Sequence, residues 1–333
     1  MKRLLKRLLL LIGTPAVALL LLYLVTDPFK TLRPFSLQYF DKLNRDYLSS
    51  ELFLRNDSVY HYNSFILGSS RCCGFNTYHW KHYLPPESRQ FLFQAWCETL
   101  TGMEQKLDYL DRNGNEINNV LLLIDIPGTF AEEQLSKECV FIKHYRFSGQ
   151  PKVVFQACMF WGFVKMPSRW LSAFRQMVHP EPMEFPADTV SNDWGYANRH
   201  ADINVQPAKD SLSDLSDKGK AAYLKKIEGK TDADLRVSEP IITESFRGQL
   251  LHIRAVFDRH HTDYRIVVSP AYCYMHPSIH PKDLEILGEI FGRENVFDYT
   301  GKNQLTSDCY NFSDADHFGQ SVGWRIIEDI YNK

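Results

Sequence analysis

Five short apolar runs do most to restrict how this chain can fold: residues 65–67, 90–96, 120–126, 264–268 and 296–299. Each has the length of a strand. Between the early ones, residues 102–112 place Met103, Leu107 and Leu110 on one helical face. In the later half Phe246, Leu250, Ile253 and Phe257 follow a helical period, and so do Leu284, Leu287 and Ile290. Strands alternating with helices predict an α/β fold in which a parallel sheet is covered on both faces. Residues 321–331 read as a closing helix. With 333 residues, 44% of them hydrophobic, the chain can build one large domain or two small ones.

The N-terminus carries a different signal. Lys2, Arg3, Lys6 and Arg7 precede an uncharged stretch, residues 8–26. At 1.5 Å per residue that stretch matches a bilayer core of about 30 Å, and Pro15 can kink such a helix without preventing insertion. Cations ahead of the span predict a cytoplasmic N-terminus, with everything after Asp27 outside the cytoplasm. The rival reading is a cleaved signal peptide, but Leu24-Val25-Thr26-Asp27-Pro28 is a poor cleavage site. The expectation is therefore a basic stub and single-pass anchor over 1–27, a stalk over 28–60, and an α/β domain over 61–333. The four N-terminal cations leave 34 Lys and Arg against 40 Asp and Glu, an acidic body that argues against a nucleic-acid partner.

Residues 143–240 interrupt the rhythm and read as an insertion in the α/β core. The segment opens aromatic, over 155–174, and turns polar over 188–234. Phe160-Trp161-Gly162-Phe163 lies between Lys152 and Lys165, too short a segment to span a membrane. A helix packed on the core is expected there, with a membrane-grazing segment or a substrate-covering lid as the alternatives. Seven cysteines (72, 73, 97, 139, 158, 273 and 309) include no C-x-x-C pair, so neither a zinc nor a redox motif is signalled.

Two short strings carry the chemistry. The run at 65–67 leads into Gly68-Ser69-Ser70-Arg71, a strand entering a tight turn with a serine at its tip. Near the C-terminus, Asp314-Ala315-Asp316-His317 sets a carboxylate three residues before a histidine. A serine hydroxyl is a weak nucleophile and needs an adjacent base, commonly a histidine oriented by a carboxylate. Ser70 is thus the expected nucleophile, His317 the base and Asp314 the orienting acid, with Asp316 the competing carboxylate. The Ser70 N–H would point into the same site as an oxyanion donor. Arg71, Glu98 and Asp316 are candidate cleft residues. His260 and His261 read as surface residues at a helix end, where positive charge is favoured. His276 and His280 sit in a loop that can line the cleft. No metal site and no cofactor are expected.

These strings resemble the first and last motifs of the SGNH, or GDSL-type, hydrolases: Gly-x-Ser after the first strand and Asp-x-x-His near the C-terminus. The resemblance covers about residues 60–145 and 240–333. It implies an SGNH (flavodoxin-like) three-layer fold, and it makes Gly102 the counterpart of the glycine whose N–H completes the oxyanion hole. Two positions depart from the pattern. Ser69 replaces the aspartate of Gly-Asp-Ser, and residues 123–127 read Leu-Ile-Asp-Ile-Pro, without the third-strand asparagine. Gly-Ser-Ser-Arg together with an N-terminal anchor looks like the membrane-anchored SGNH proteins of envelope-polymer O-acylation. That likeness implies a serine acyl-ester hydrolase or O-acyltransferase acting on a cell-envelope glycan, periplasmic or at the cell surface, with a membrane acyl-transfer partner. The alternative is a non-catalytic glycan-binding or assembly protein on the same scaffold.

Overall fold

The computed structural model describes residues 2–34, 44–132, 141–179, 188–193 and 217–332. In chain order the named elements are helices α1 (Lys2–Thr26) and α2 (Arg45–Tyr60), strand β1 (Ser64–Gly68), a short 3-10 turn (Ser70–Gly74), α3 (Thr77–Lys81), β2 (Gln90–Gln94), α4 (Leu100–Arg112) and β3 (Asn119–Ile124). After these come α5 (Tyr145–Ser148), α6 (Lys152–Val164), α7 (Pro167–Val178), α8 (Asp217–Ile227), α9 (Glu244–His260), β4 (Asp263–Val268), α10 (Pro281–Phe291), β5 (Val296–Asp298) and α11 (Gln320–Tyr331). The chain forms two compact units. One comprises Met1–Glu51 with Gln134–Phe185, the other Leu52–Glu133 with Pro186–Lys333.

The second unit holds the sheet. Its five strands are all parallel, in the order β2-β1-β3-β4-β5. Every residue of β1 and β3 is buried, as expected for strands covered on both faces. Alternation then assigns the faces. Ile66, Leu92, Leu121 and Val267 join a cluster with Trp80 of α3 and with Val322, Ile326 and Ile330 of α11. On the opposite face Phe53 of α2 packs its ring on Phe65, Phe91 and Phe93. Helices α4 and α9 lie against each other, with Met103, Leu107, Leu250, Ile253 and Phe257 buried as their spacing predicts. At the free edge of the sheet, Leu92 N–H donates to Ser191 O (2.8 Å) and Asn192 Nδ2 donates to Leu92 O (2.6 Å). The short segment 188–193 thereby occupies hydrogen-bonding groups that an open edge would leave available.

Two features of the expected domain map are revised. Residues 45–60 of the supposed stalk are helix α2, with Leu52 and Phe53 buried. Both polar and apolar residues of α2 are buried, among them Asp46, Ser49 and Ser50, which erases the one-sided period that would have marked the helix. The supposed insertion over 143–240 is not one body. Its aromatic part groups with the N-terminal segment, whereas α8 sends Tyr223 and Ile227 into the core cluster of the α/β unit.

In the N-terminal unit, α1 ends in an aromatic cluster. The Tyr23 ring lies 5.2 Å from that of Phe160 and 5.3 Å from that of Phe163. Asp27 accepts from the N–H groups of Thr31 and Leu32 through Oδ1 and of Arg33 through Oδ2, so the chain leaves the helix through a built turn. Among the described residues no helix is long and apolar enough to cross a membrane. The side chains of Leu8, Leu9 and Leu10 lie outside the described residues.

Candidate active site

The strand order 2-1-3-4-5 places a topological switch point between β1 and β3, because the chain runs from β1 to β2 on one side and then crosses to β3 on the other. Ligands of open α/β sheets bind in the crevice at the carboxyl ends of the strands there. Ser69 and Ser70 follow β1, and Asp125 follows β3. The Ser69 hydroxyl donates to Asp125 Oδ2, which ties the two strand ends together at this point.

Gly68 makes the turn possible. Its φ is +153°, and a Cβ added there would lie 2.7 Å from Cys72 Sγ and 2.9 Å from Leu123 Cβ. Ser69 caps the 3-10 turn by accepting the Arg71 N–H (3.2 Å). Ser70 is the first residue of the turn, so its N–H has no acceptor within the turn itself.

The expected triad assembles. Ser70 Oγ lies 2.8 Å from His317 Nε2. His317 Nδ1 lies 2.9 Å and 3.0 Å from the two oxygens of Asp314. Asp314 Oδ1 also accepts the N–H groups of Asp316 and His317, both at 2.8 Å. Three residues of loop therefore fold around one carboxylate and orient the imidazole. Of the two carboxylates it is Asp314 that meets the imidazole, while Asp316 turns elsewhere.

The electrostatics follow from this geometry. The hydrogen bond that His317 donates to Asp314, stronger than the opposing effect of burial, raises the His317 pKa above its ordinary 6.5. Burial pushes the Asp314 carboxyl up, but the bond and charge of His317, with the two backbone donors, outweigh it and hold the pKa at about 2. At neutral pH the pair is thus an anion beside an imidazole whose proton affinity has been increased. Both side chains remain about half exposed, so the triad opens to solvent.

Arg71 and Asp316 also meet. The buried Arg71 side chain places Nη2 2.8 Å from Asp316 Oδ1 and Nε 3.7 Å from Asp125 Oδ1. His276 Nε2 lies 3.1 Å from the same Asp316 oxygen. Burial lowers the His276 pKa, against the pull of Asp316. His276 therefore gains the carboxylate partner that its local sequence lacks, and the partner lies in a distant loop. Arg71 and His276 also line a cavity of about 10 Å³, room for roughly one water.

Two expected residues take other roles. Gly102 lies in the first turn of α4, and its N–H donates to the capping Thr99 hydroxyl (3.3 Å). That bond corrects its assignment as an oxyanion donor. Glu98 is buried and paired with the equally buried Lys106, and it accepts the Thr99 N–H. It braces the start of α4 rather than lining an open cleft. His280 caps α10 by accepting the Lys282 N–H. His260 pairs with Asp111 (2.8 Å). No group of three His, Cys, Asp or Glu suited to a metal ion occurs among the described residues. Cys139 lies outside the described residues, and burial raises the Cys72 thiol pKa, which marks it as a packing residue.

In comparison with known proteins, no family model and no curated protein matches this chain.

Proposed function

We propose that the protein is a membrane-anchored, extracytoplasmic serine acyl-ester hydrolase or O-acyltransferase of SGNH type, acting on a cell-envelope glycan. The observation that carries this reading is the continuous relay from Ser70 Oγ through His317 to Asp314, at 2.8 Å and 2.9 Å. On this reading Ser70 attacks the acyl carbonyl while His317 Nε2 takes its proton. The Ser70 N–H stabilises the oxyanion, and His317 returns the proton to the leaving alcohol. Water or a sugar hydroxyl, deprotonated by the same histidine, then attacks the acyl carbon, the bond to Ser70 Oγ breaks, and the histidine returns the proton to Ser70. Asp314 stays ionised throughout and balances the imidazolium. The half-exposed triad suits an acyl group presented on a polymer better than a small ligand enclosed on all sides. The uncharged run over 8–26, behind four cations, supplies the proposed anchor, with the N-terminus cytoplasmic. A membrane partner that delivers acyl groups belongs to the transferase form of the proposal.

A serine-directed fluorophosphonate tests the nucleophile. The wild-type protein is expected to label at Ser70, and the Ser70→Ala variant is not. Equal labelling of the two, or none in either, would remove the enzymatic reading. The second reading, a non-catalytic glycan-binding protein, draws on the engaged Gly102 N–H and on Asp125 at the third strand's end, which leave the oxyanion site short of donors. Acetyl-ester turnover measured with and without oligosaccharide acceptors separates hydrolysis, transfer and binding alone.

A further inference from the structure

Helices α6 and α7 turn apolar side chains outward. On α6, Val153, Ala157 and Trp161 repeat at four-residue spacing and are exposed, Val153 at 73% and Trp161 at 57%. On α7, Leu171 and Phe174 are 65% and 52% exposed, with Met177 and Val178 beside them. The opposite side of α7 faces inward, where Ala173 and Arg169 are buried. Trp170 Nε1 donates to Phe163 O (2.8 Å) and fixes the two helices as a hairpin. A helix that packs through a small residue and an arginine while exposing its large apolar ones reverses the usual pattern of a surface helix.

The Asp, Glu, Lys and Arg residues of the segment that carries these stripes are of one sign. From residue 143 to residue 180 the sequence contains no Asp or Glu, in a chain that has 40 of them. It contains Lys143, Arg146, Lys152, Lys165, Arg169 and Arg175. Lys165 lies over the Trp161 ring at 5.1 Å, and Lys152 over the Tyr145 ring at 5.7 Å. A tryptophan paired with a lysine, at the end of an apolar stripe, matches the chemistry of the lipid headgroup layer. Within the same unit α1 also exposes Leu20, Leu21, Leu24 and Val25, so outward apolar surface continues on the helix against which α6 and α7 pack.

We infer that the α6–α7 hairpin is a second membrane contact, lying in the headgroup layer of an anionic leaflet with its apolar stripes toward the acyl chains. It does not span. Each helix is too short for that, and apolar burial combined with cation–lipid attraction is the binding mode of interfacial helices. The inference rests on the anchor reading for α1, which brings the hairpin to the bilayer, and not on the serine chemistry.

The full chain in nanodiscs that contain phosphatidylglycerol provides the test. Lipids brominated near the top of the acyl chain quench tryptophans at that depth. Trp161→Phe is expected to abolish most of the quenching, whereas Trp80→Phe, which removes a fully buried ring of the α/β unit, leaves it unchanged. Leu171→Asp with Phe174→Asp is expected to reduce Trp161 quenching severalfold. Replacing phosphatidylglycerol by phosphatidylcholine is expected to weaken it and to make it sensitive to salt. Quenching that is the same with and without Trp161 overturns the proposal. It is also overturned if Trp161 is open to aqueous iodide, or is shielded in a dimer that Phe174→Asp dissolves. Loss of the chain from the disc fraction defeats the anchor and the hairpin together. Ester turnover in the same sample reports on the serine site separately.

Discussion

At Asp314 one carboxylate accepts from the imidazole Nδ1 and from two backbone N–H groups, so it shapes its loop and sets the basicity of His317 at once. The two roles separate in Asp314→Asn. The amide oxygen can still accept from the backbone, but the negative charge that raises the His317 pKa is gone, while the burial that lowers it remains. A base works when neutral, so the wild-type activity should rise with pH through a value above 6.5. In Asp314→Asn that limb should move to lower pH, and kcat/KM at its plateau should fall by about 10⁴. A pH profile of both proteins on a small acyl ester checks the shift. An unmoved limb would mean that a group other than His317 sets it. Much of this site was legible in two strings of four residues, because Ser70 ends a readable strand and the Asp-x-x-His spacing closes one turn around Asp314. The Arg71–Asp316–His276 cluster was not legible, because it joins three segments whose proximity only the sheet creates.

Among the elements, α11 couples the two halves of the site. It follows the His317 loop directly and packs on the 3-10 turn that carries Ser70. The approach depends on two glycines. A Cβ on Gly323 would lie 2.0 Å from the carbonyl oxygen of Gly74, and a Cβ on Gly74 would lie 2.3 Å from the Phe318 ring. Gly323→Ala must therefore push the helix off the turn, and it is expected to cost about 1–3 kcal/mol and most of the ester activity. Gly248→Ala in α9 is the matched control. Nothing lies within 4 Å of its added Cβ, so it should be neutral or stabilise by up to about 1 kcal/mol. Thermal melts with parallel turnover assays distinguish the two. The strands of this unit could be read from the length of their apolar runs, and α4, α9 and α10 from their helical period, whereas α8 lay in a stretch that reads only as polar. By contrast α2, whose first turns are buried on polar and apolar sides alike and whose last turn exposes Val59 and Tyr60, leaves no period to read. The role of Gly102 was misassigned for a related reason: a glycine after a strand looks the same whether its N–H faces a ligand or a capping Thr99 hydroxyl.

At the scale of the whole molecule, chemistry and apolar display belong to different units. Ser70, Asp314 and His317, with Arg71, Asp125 and His276, all come from the α/β unit, whereas Trp161, Leu171 and Phe174 belong to the N-terminal one. The aromatic segment around Trp161 had two functional readings in the sequence, a lid over the substrate and a surface for the membrane, and kinetics can tell them apart. A lid would exclude water and hold the acyl group, so that removing its aromatic side chains should lower kcat/KM even for a small soluble ester. A membrane surface takes no part in that reaction. Substitutions at exposed positions away from a site usually change free energies by no more than about 0.5 kcal/mol, or roughly twofold in rate. Trp161→Ala and Phe174→Ala are therefore expected to keep kcat/KM for acetyl esters within about twofold of wild type, in detergent and in nanodiscs alike. A large loss in detergent, where no bilayer is present, would assign the segment to the substrate instead. A loss confined to polymer-borne acyl groups at a membrane would be the outcome expected of the proposed membrane contact rather than of a lid.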